Sequence, residues 1–264
     1  MGNNNIKTAL VTGAASGLGF ELALLLAKDG YHLVLIDIDS AKLEAAKANI
    51  LKEYPTQIIV MVKDLSVINI AQEIYDDLNT LNIDVIINNA GFGLFGTFYE
   101  TDWERGSQML HLHILTTTHL IKLILPGMIE RGSGKILNLS SLAAFQPGPL
   151  MALYYASKAY ILSFSEAISN ELKGTGLTVT ALCPGPTKTA FQSTVSEDAA
   201  ENKIAFNMAC AKEVALYGYK AMQKGKVIAI PGVFNKFLSF LPRVLTRNRT
   251  TKIVRKIQDK NRDC

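Results

Sequence analysis

The chain has 264 residues and a net charge of +4, with 48% hydrophobic and 19% charged residues. This composition is typical of a globular protein with enough apolar side chains for one large core, and it excludes a disordered chain. Three scattered cysteines, without a Cys-x-x-Cys pair or a histidine cluster, exclude a disulfide framework and predict no metal site. The sequence has neither a signal-peptide pattern nor a run of about 18 apolar residues, so we expect a cytoplasmic protein.

Apolar runs and helical patterns alternate along most of the chain. The predicted strands lie at 7–12, 32–37, 57–62, 83–88, 135–139, 178–183 and 227–230. A first helix follows the glycine-rich turn, and the later helices cover 41–53, with Ser40 as cap, 66–81, 102–131, 151–173 and 210–223. Continuous apolar strands separated by helices predict an α/β fold, a Rossmann-like doubly wound parallel sheet of about seven strands with helices on both faces. Ligands of such sheets bind at the carboxyl ends of the strands.

The first predicted strand leads into the sequence Thr-Gly-Ala-Ala-Ser-Gly-Leu-Gly at 12–19, and a helix follows. Glycines allow a sharp turn and a close approach of the backbone to a pyrophosphate, whose charge is stabilised by free amides and the helix dipole. A glycine turn that only ends the strand is the structural alternative, but its place in a βαβ unit favours a dinucleotide site. The candidate cofactor-binding residues of this turn are Gly13, Ser16, Gly17, Leu18 and Gly19.

Asp37 stands at the end of the second predicted strand, where a carboxylate can accept hydrogen bonds from the adenosine ribose hydroxyls. A 2′-phosphate there would meet like charge, and neither the glycine turn nor position 38, which is Ile, supplies a cation. NAD is therefore preferred over NADP as the cofactor. The alternative role for Asp37 is an exposed cap of the next helix.

Two further strand ends carry candidate cofactor contacts. The third strand is followed by Asp-Leu, whose carboxylate can lie near the adenine amino group. The fourth ends in Asn-Asn-Ala-Gly at 88–91, where the small residues leave room for a ligand against the backbone. The two asparagines can equally join neighbouring strand ends, and both roles are compatible. The candidates at these strand ends are Asp64, Leu65, Asn89, Ala90 and Gly91.

Tyr154 and Lys158 are four residues apart in a predicted helix and therefore share a face. The ordinary pKa of a tyrosine hydroxyl, about 10, is too high for an effective base near neutrality, and a nearby ammonium lowers it. A lone pair with this spacing is more often a chance surface contact. Ser141 changes that interpretation, because it ends the preceding strand and can donate to a substrate carbonyl at the same sheet edge.

Five ordered motifs now stand together: Thr-Gly-x-x-x-Gly-x-Gly at 12–19, Asn-Asn-Ala-Gly at 88–91, Ser141, Tyr154-x-x-x-Lys158 and Pro184-Gly185. They resemble the motifs of the short-chain dehydrogenase/reductase family over about residues 5–230. This predicts a dinucleotide-binding and catalytic domain at 1–230 and a basic amphipathic C-terminal extension at 231–264. The stretch from 125–128 through Phe191, including 164–167, also looks like the bacterial branch labelled DltE-like.

The resemblance implies hydride transfer between a nicotinamide cofactor and a secondary alcohol or ketone. Tyr154 would exchange a proton with the substrate oxygen, and Ser141 would orient and polarise the carbonyl. Lys158 would bind the nicotinamide ribose hydroxyls and depress the Tyr154 pKa. An NADP-linked carbonyl reductase and a non-catalytic dinucleotide-binding sensor or scaffold are the alternatives.

The sequence Pro-Gly-Pro-Thr-Lys-Thr at 184–189 resembles the family segment that cradles the nicotinamide. The candidate contacts in it are Pro184, Gly185, Thr187 and Thr189. For Thr189, a helix cap is the structural alternative.

His113 is the one departure from the family pattern. Counted back from Pro-Gly-Met at 126–128, it occupies the place of the usual Asn, which helps to hold a water in the proton relay behind the lysine. Histidine can also hold a water and titrates near neutrality, so a modified relay is one interpretation. A packed helix histidine, with the water held by backbone carbonyls, is the other.

The expected partner is a small hydrophobic alcohol or ketone, since the residues expected near the reacting centre are mostly apolar. These residues are Phe92, Leu142, Phe145, Gln146, Met151 and Phe191. The loop at 184–209 is a candidate lid over them. The resemblance also implies a homodimer or homotetramer formed through two long helices.

Charge is distributed unevenly along the chain. Residues 235–264 hold nine Lys or Arg and two Asp, a net charge of +7, so the remainder carries −3 and we expect no nucleic-acid partner. The tail also alternates phenylalanine and leucine with arginine, a pattern that can lie on an anionic membrane surface. Packing on the domain or on a sister subunit is the preferred alternative.

Overall fold

A computed structural model describes residues 6–78, 81–188 and 208–262. Its main sheet has seven parallel strands in the order β3-β2-β1-β4-β5-β6-β9. The strands of this sheet are β1 (Thr8–Thr12), β2 (His32–Asp37), β3 (Ile58–Val62), β4 (Ile83–Asn88), β5 (Gly134–Leu139), β6 (Leu177–Leu182) and β9 (Ile228–Ala229). The predicted doubly wound parallel sheet is confirmed.

Helices cover both faces of the sheet because successive strand side chains point to opposite faces and both sets are apolar. In β2, Leu33 and Leu35 pack into one core layer, whereas Val34 and Ile36 pack into the other. The helices are α1 (Gly17–Lys28), α2 (Ser40–Glu53), α3 (Ile70–Leu78), α4 (Trp103–Leu110), α5 (Thr117–Glu130), α6 (Ala152–Glu171), α7 (Ala211–Gln223), α8 (Val233–Val244) and α9 (Arg247–Arg262).

The helix predicted over 102–131 is one continuous helical stretch whose hydrogen bonding changes in the middle. A π-helical segment, His111–Thr116, joins α4 to α5. By length and composition alone, Trp103–Glu130 could cross a membrane. Leu120, Ile121 and Ile124 of this stretch are buried against the sheet, however, and a core helix of this length passes the same test.

Helix α2 begins one residue earlier than predicted. Its cap is Asp39, whose carboxylate accepts a hydrogen bond from the Lys42 amide at 3.0 Å, and Ser40 is the first helical residue. The prediction of Ser40 as cap was therefore wrong. Both residue types cap helices well, so the composition left a one-residue ambiguity.

The segment that follows β6 begins and ends in a short parallel ladder. β7 (Thr187–Lys188) pairs with β8 (Ala209–Cys210). The lid predicted at 184–209 falls largely between these strands. Its residues 189–207, which include Thr189 and Phe191, lie outside the described residues. A short 3₁₀ turn, Leu142–Phe145, follows β5, and α8 packs against it.

Candidate active site

The glycine turn after β1 is fastened to the end of β4. The Asn89 side-chain amide donates to the carbonyls of Thr12 and Gly13, both at 3.0 Å. In return, the Thr12 hydroxyl oxygen accepts from the Asn89 amide at 3.0 Å and from the Ala90 amide at 3.1 Å. Asn89 therefore joins strand ends, as its alternative role predicted, and its amide group holds the turn in shape.

The turn itself leaves no space for side chains at Gly13 and Gly19. Gly13 and Gly17 have φ values of 64° and 57°, in the left-handed region that glycine adopts most readily. A Cβ on Gly19 would lie 2.0 Å from the Gly13 carbonyl oxygen. Ser16, at the start of α1, makes no side-chain cap, so the first-turn amides stay available to an anion.

Asp37 is fixed by two backbone amides. Its carboxylate accepts from Ala15, in the glycine turn, at 3.0 Å and from Asp39 at 3.1 Å. The next residue, Ile38, is 64% exposed and brings no charge. Because the α2 cap is Asp39, Asp37 is free of the capping role and lies beside the turn with further lone pairs for ribose hydroxyls.

Side-chain hydrogen bonds also fix the segment that follows β3. The Asp64 carboxylate accepts from the amide and the hydroxyl of Ser66, at 2.9 and 2.7 Å. Leu65 is buried, and its carbonyl accepts from the Thr116 hydroxyl at 2.8 Å. This hydrogen bond ties the β3 end to the π-helical segment.

The catalytic candidates lie where β5 meets α6. Lys158 is 4% exposed, and its ammonium donates to the Leu139 carbonyl, the last of β5, at 2.9 Å. The ammonium nitrogen lies 5.7 Å from the centre of the Tyr154 ring. The Tyr154 hydroxyl is hydrogen-bonded to Ser141, the second residue beyond the end of β5. The structure thus brings Ser141, Tyr154 and Lys158 together.

Burial is the largest influence on the pKa values of Tyr154 and Lys158. It raises the pKa of the Tyr154 hydroxyl to about 12, although the hydrogen bond with Ser141 acts in the opposite direction. Burial likewise lowers the pKa of the Lys158 ammonium to about 8. The expected depression of the Tyr154 pKa by Lys158 is therefore absent here, because desolvation of a buried phenolate outweighs an ammonium at this distance.

His113 lies behind Tyr154, in the π-helical segment. Its Nδ1 lies 2.9 Å from the Ser157 hydroxyl oxygen, and this hydroxyl donates to the Tyr154 carbonyl at 2.8 Å. Nδ1 is then the protonated nitrogen, which leaves Nε2 as a buried acceptor with no partner among the described residues. A Cβ on Gly91 would lie 2.6 Å from Nε2, so this acceptor faces the small residues at the β4 end.

Burial and the nearby Lys158 charge hold the His113 pKa well below its usual value. The ring is therefore neutral near pH 7. This argues against the titrating version of the relay expected from the sequence, whereas a neutral acceptor that holds a water is compatible with Nε2, which has no partner among the described residues.

A buried polar chain beneath the site was not anticipated in full. Asn88 donates through its side-chain amide to Asn138 on β5 at 2.9 Å, and Asn138 donates to the Ser165 hydroxyl on α6, also at 2.9 Å. The Ser140 hydroxyl donates to the Lys158 carbonyl at 2.9 Å. These bonds fix α6 against the sheet. Polar residues inside apolar strands and helices were the only sequence signal for them.

The loop after β6 completes one wall of the site. The Pro184 carbonyl accepts from the Leu142 amide at 2.9 Å, which fixes the loop to the segment that follows Ser141. The Thr187 hydroxyl donates to the Gly185 carbonyl at 2.9 Å. A Cβ on Gly185 would approach the Asn235 side chain to 3.0 Å, so α8 lies directly behind this wall.

These features together fit a nicotinamide dinucleotide. The glycine cradle would hold the phosphates, and Asp37 would accept from the ribose hydroxyls at the other end of the turn. The Lys158 ammonium has three donors, of which Leu139 accepts one, so it can also serve ribose hydroxyls. Among the described residues, no group of histidine, cysteine and carboxylate side chains could hold a metal ion.

A doubly wound sheet with this site at its carboxyl edge has the architecture of nicotinamide-dependent oxidoreductases. The family model described as short chain dehydrogenase matches residues 7–200. The chain therefore belongs to the short-chain dehydrogenase family. The DltE-like branch stays a prediction.

Known relatives agree with this family. A very-long-chain 3-oxoacyl-CoA reductase from Anas platyrhynchos is 35% identical over 184 residues, which are 67% of this chain and 58% of that protein. The chain spans about three fifths of the length of the curated relatives it matches first.

Solved structures share the fold over nearly the whole chain. A short-chain dehydrogenase from Sphingobium yanoikuyae in complex with NADPH has a TM-score of 0.80 and 25% identity, covering 92% of this chain and 97% of its own. A short-chain dehydrogenase/reductase from Burkholderia phymatum in complex with NAD has a TM-score of 0.81 and 22% identity, covering 92% and 95%. Similar folds therefore occur with either cofactor.

Proposed function

We propose that the protein is an NAD-linked oxidoreductase that interconverts a hydrophobic ketone and the corresponding secondary alcohol. The observation that carries this proposal is the Tyr154 hydroxyl, held by Ser141 and backed by the buried Lys158 ammonium at the edge of the cofactor cleft. A non-catalytic sensor could use the Lys158 ammonium to bind ribose hydroxyls, but it would have no need of a tyrosine hydroxyl held beside it by Ser141. The intact trio therefore argues against the sensor alternative.

The proposed chemistry needs three groups from the chain: a proton donor, a hydrogen-bond donor to the carbonyl oxygen, and a cation. The bound nicotinamide supplies the hydride that reaches the carbonyl carbon in reduction and accepts it in oxidation. Ser141 donates to the carbonyl oxygen and polarises it, while the Tyr154 Oη–H bond breaks and its proton moves to that oxygen. Lys158 stabilises the resulting phenolate and orients ribose hydroxyls.

The protonation state of Tyr154 at neutral pH is the one that reduction requires. With a pKa of about 12, the hydroxyl is protonated at pH 7 and can act as the acid without prior ionisation. Oxidation requires the phenolate and should accelerate as the pH rises towards that pKa. The protein from Anas platyrhynchos that resembles this chain is itself named a reductase.

Support for NAD comes from Asp37 and the uncharged Ile38 beside the adenosine end of the turn. One observation favours NADP instead: the pKa of Lys42 is raised, mainly by its hydrogen bond and ion pair with Asp39 and to a small extent by the nearby Asp37 carboxylate, so a cation lies near the adenosine end of the turn. Lys42 is already paired with Asp39 at 2.7 Å, however, so its charge is largely compensated. NADP is the second candidate for this reason.

Hydrophobic substrates are supported by a small, mostly apolar hollow at the start of α6, the helix that carries Tyr154. Leu94, Phe98, Ala152 and Leu153 surround it, and the adjacent Phe92 ring is covered by the Arg105 guanidinium at 3.8 Å. A 3-oxoacyl chain, the substrate type in the name of the matched relative, is one ketone of suitable character. The homo-oligomeric state and the cytoplasmic location stay predictions.

Ketone reduction with NADH and with NADPH, followed by nicotinamide absorbance over ketones of increasing chain length, tests the proposal. We expect turnover with NADH, a preference for longer apolar ketones, and loss of turnover in Tyr154→Phe. Equal rates in wild type and Tyr154→Phe would refute the assigned chemistry.

Cofactor choice has its own pair of variants. Asp37→Ala should lower the ratio of kcat/KM with NADH to that with NADPH, whereas Lys42→Ala should leave the ratio unchanged. If Lys42→Ala alone abolishes turnover with NADPH and NADPH is the better cofactor of wild type, NADP is the cofactor.

A further inference from the structure

Helix α8 presents an apolar face to solvent. Val233, Phe237, Phe240 and Val244 follow the spacing four, three and four, so they form one stripe along the helix. Their side chains are between 54% and 83% exposed. Such a stripe on an ordinary surface helix faces the core, whereas here it faces away.

The opposite face of α8 holds the helix against the domain. Ser239 is buried there, and Asn235 lies against Gly185 in the wall of the active site. The Asn235 side chain also donates to the Pro231 carbonyl at 2.7 Å, which fixes the start of the helix. The preferred expectation, that the tail packs on the domain, therefore holds for the polar face and leaves the apolar face without a partner among the described residues.

Two basic residues flank this apolar stripe, and more follow in α9. Lys236 and Arg243, seven residues apart, flank it on the same side of α8. Residues 233–262 contain nine Lys or Arg and a single acid, Asp259, a net charge of +8. Asp259 is itself paired with Arg255 at 2.7 Å. The surface around the stripe is therefore suited to an anionic partner.

We propose that the exposed face of α8 docks the protein on the surface of an anionic lipid bilayer. The phenylalanine and valine side chains enter the boundary between headgroups and acyl chains, and the surrounding lysines and arginines contact the lipid phosphates. The basic side chains of α8 and α9 can reach outward while their methylene stems remain on the apolar surface.

A second copy of the chain is the main competing occupant, and charge argues against it. A two-fold contact through this face would bring two segments of +8 together, and like charges at an interface are repulsive. A lipid phosphate surface instead compensates the same charges. Val233 and Val244, at the two ends of the stripe, also suit acyl chains better than the stacked bases of a nucleic acid.

The docking face lies near the active site, because α8 and α9 each contact an element that carries or borders it. Asn235 of α8 lies behind the Gly185 wall, and Gln258 of α9 donates to the Tyr155 hydroxyl, next to Tyr154, at 2.9 Å. A bilayer bound at α8 would thus lie one helix away from the Gly185 wall of the active site and near α6, which carries Tyr154. On the proposed function, hydrophobic substrate dissolved in the bilayer would be concentrated near the active site.

Flotation of the full chain with phosphatidylcholine vesicles, with and without phosphatidylglycerol, tests the proposal. We expect binding only when phosphatidylglycerol is present and release at high salt. The double variant Phe237→Ser/Phe240→Ser should weaken partitioning at least about tenfold, since it removes two large apolar side chains from the contact. Lys236→Glu/Arg243→Glu should weaken it as well.

The matched control is Tyr99→Ser/Trp103→Ser, which removes two aromatic side chains that are 84% and 65% exposed elsewhere on the surface. Its binding should equal that of wild type. Failure of wild type to float, or equal binding by the Phe237→Ser/Phe240→Ser variant, would overturn the proposal. So would a lower oligomer mass of that variant in light scattering, which would assign the face to a second copy, or competition by a short oligonucleotide.

Discussion

Lys158 is the residue in which catalysis and stability oppose each other most clearly. A pKa lowered from 10.5 to about 8 corresponds to roughly 3 kcal/mol of unfavourable free energy for the folded ammonium at neutral pH. Its hydrogen bond to the Leu139 carbonyl offsets about 1 kcal/mol of this. We therefore expect Lys158→Met, an apolar side chain of similar length, to raise the free energy of unfolding at pH 7 by about 1–2 kcal/mol and to abolish turnover.

The pH dependence gives this prediction a definite sign. The folded pKa lies below the unfolded one, so between about pH 8 and pH 10.5 the unfolded chain binds more protons and wild-type stability rises with pH. The advantage of Lys158→Met should shrink across this window and remain full below pH 8. Urea unfolding at several pH values measures it, with Lys224→Met, at an exposed lysine, as control. A Lys158→Met variant less stable than wild type at pH 7 would contradict the buried-charge argument.

His113 allows a second test at the residue scale. Its neutral ring acts as an acceptor at Nε2, and an asparagine at this position also offers an acceptor oxygen. We expect His113→Asn to retain activity within about tenfold, equal to about 1.4 kcal/mol of barrier, and His113→Leu to lose more.

Because burial holds the His113 pKa well below its usual value, the activity of wild type should show no histidine inflection between pH 6 and pH 8. Steady-state kinetics of the three proteins over that range decide both points. A loss above tenfold in His113→Asn would mean that the imidazole itself is needed, and a pH inflection of wild type that disappears in this variant would mean that His113 titrates in the relay.

At the scale of elements, the sequence was most informative where local chemistry and tertiary structure agree. The β2 and β4 bounds, His32–Asp37 and Ile83–Asn88, match the prediction residue for residue, because continuous apolar runs end at polar residues. The glycine turn was predictable because only glycine fits its left-handed backbone. The π-helical segment His111–Thr116 could not be predicted, because nothing in its composition distinguishes i+5 hydrogen bonding from the i+4 bonding of an α-helix.

The close contact of the glycine turn with the start of α1 gives a prediction for that element. Gly19→Ala would place a Cβ 2.0 Å from the Gly13 carbonyl oxygen and 2.5 Å from the Asn89 amide nitrogen. These atoms hold the turn, so we expect dinucleotide affinity to fall at least about tenfold together with a loss of stability. Fluorescence titration with NADH and thermal unfolding measure the two effects.

Gly127→Ala, within α5, is the matched control, because its Cβ would approach only one guanidinium nitrogen of Arg131, at 3.1 Å, and no atom of the glycine turn. It should bind NADH like wild type and be equally or more stable, as alanine favours helices over glycine. Equal affinity of Gly19→Ala and Gly127→Ala for NADH would show that the turn does not hold the cofactor phosphates.

At the scale of the whole molecule, the sequence predicted a tail but not its place. Gln258 is an ordinary polar residue in a basic segment, yet the fold buries it and joins its side chain to Tyr155, more than a hundred positions away. Such long-range pairs have no local signature. The contact of Asn235 with Gly185 has no local signature either. Sequence motifs therefore predicted Ser141, Tyr154 and Lys158, but not the residues of α8 and α9 that support them.

The contact between Gln258 and Tyr155 predicts that the tail stabilises the catalytic helix. Burial raises the pKa of the Tyr155 hydroxyl, and the Gln258 hydrogen bond opposes this shift, so the hydroxyl sits in a poorly hydrated place. Gln258→Ala should lower the free energy of unfolding by about 1–3 kcal/mol, because it leaves a buried hydroxyl without this donor. Adding Tyr155→Phe removes the hydroxyl that has lost its donor and should recover part of the lost stability.

Urea unfolding of the single and double variants, with Lys256→Ala on the exposed side of α9 as control, measures the coupling between Gln258 and Tyr155. If Gln258→Ala were as stable as Lys256→Ala, α9 would lie on the domain without supporting α6.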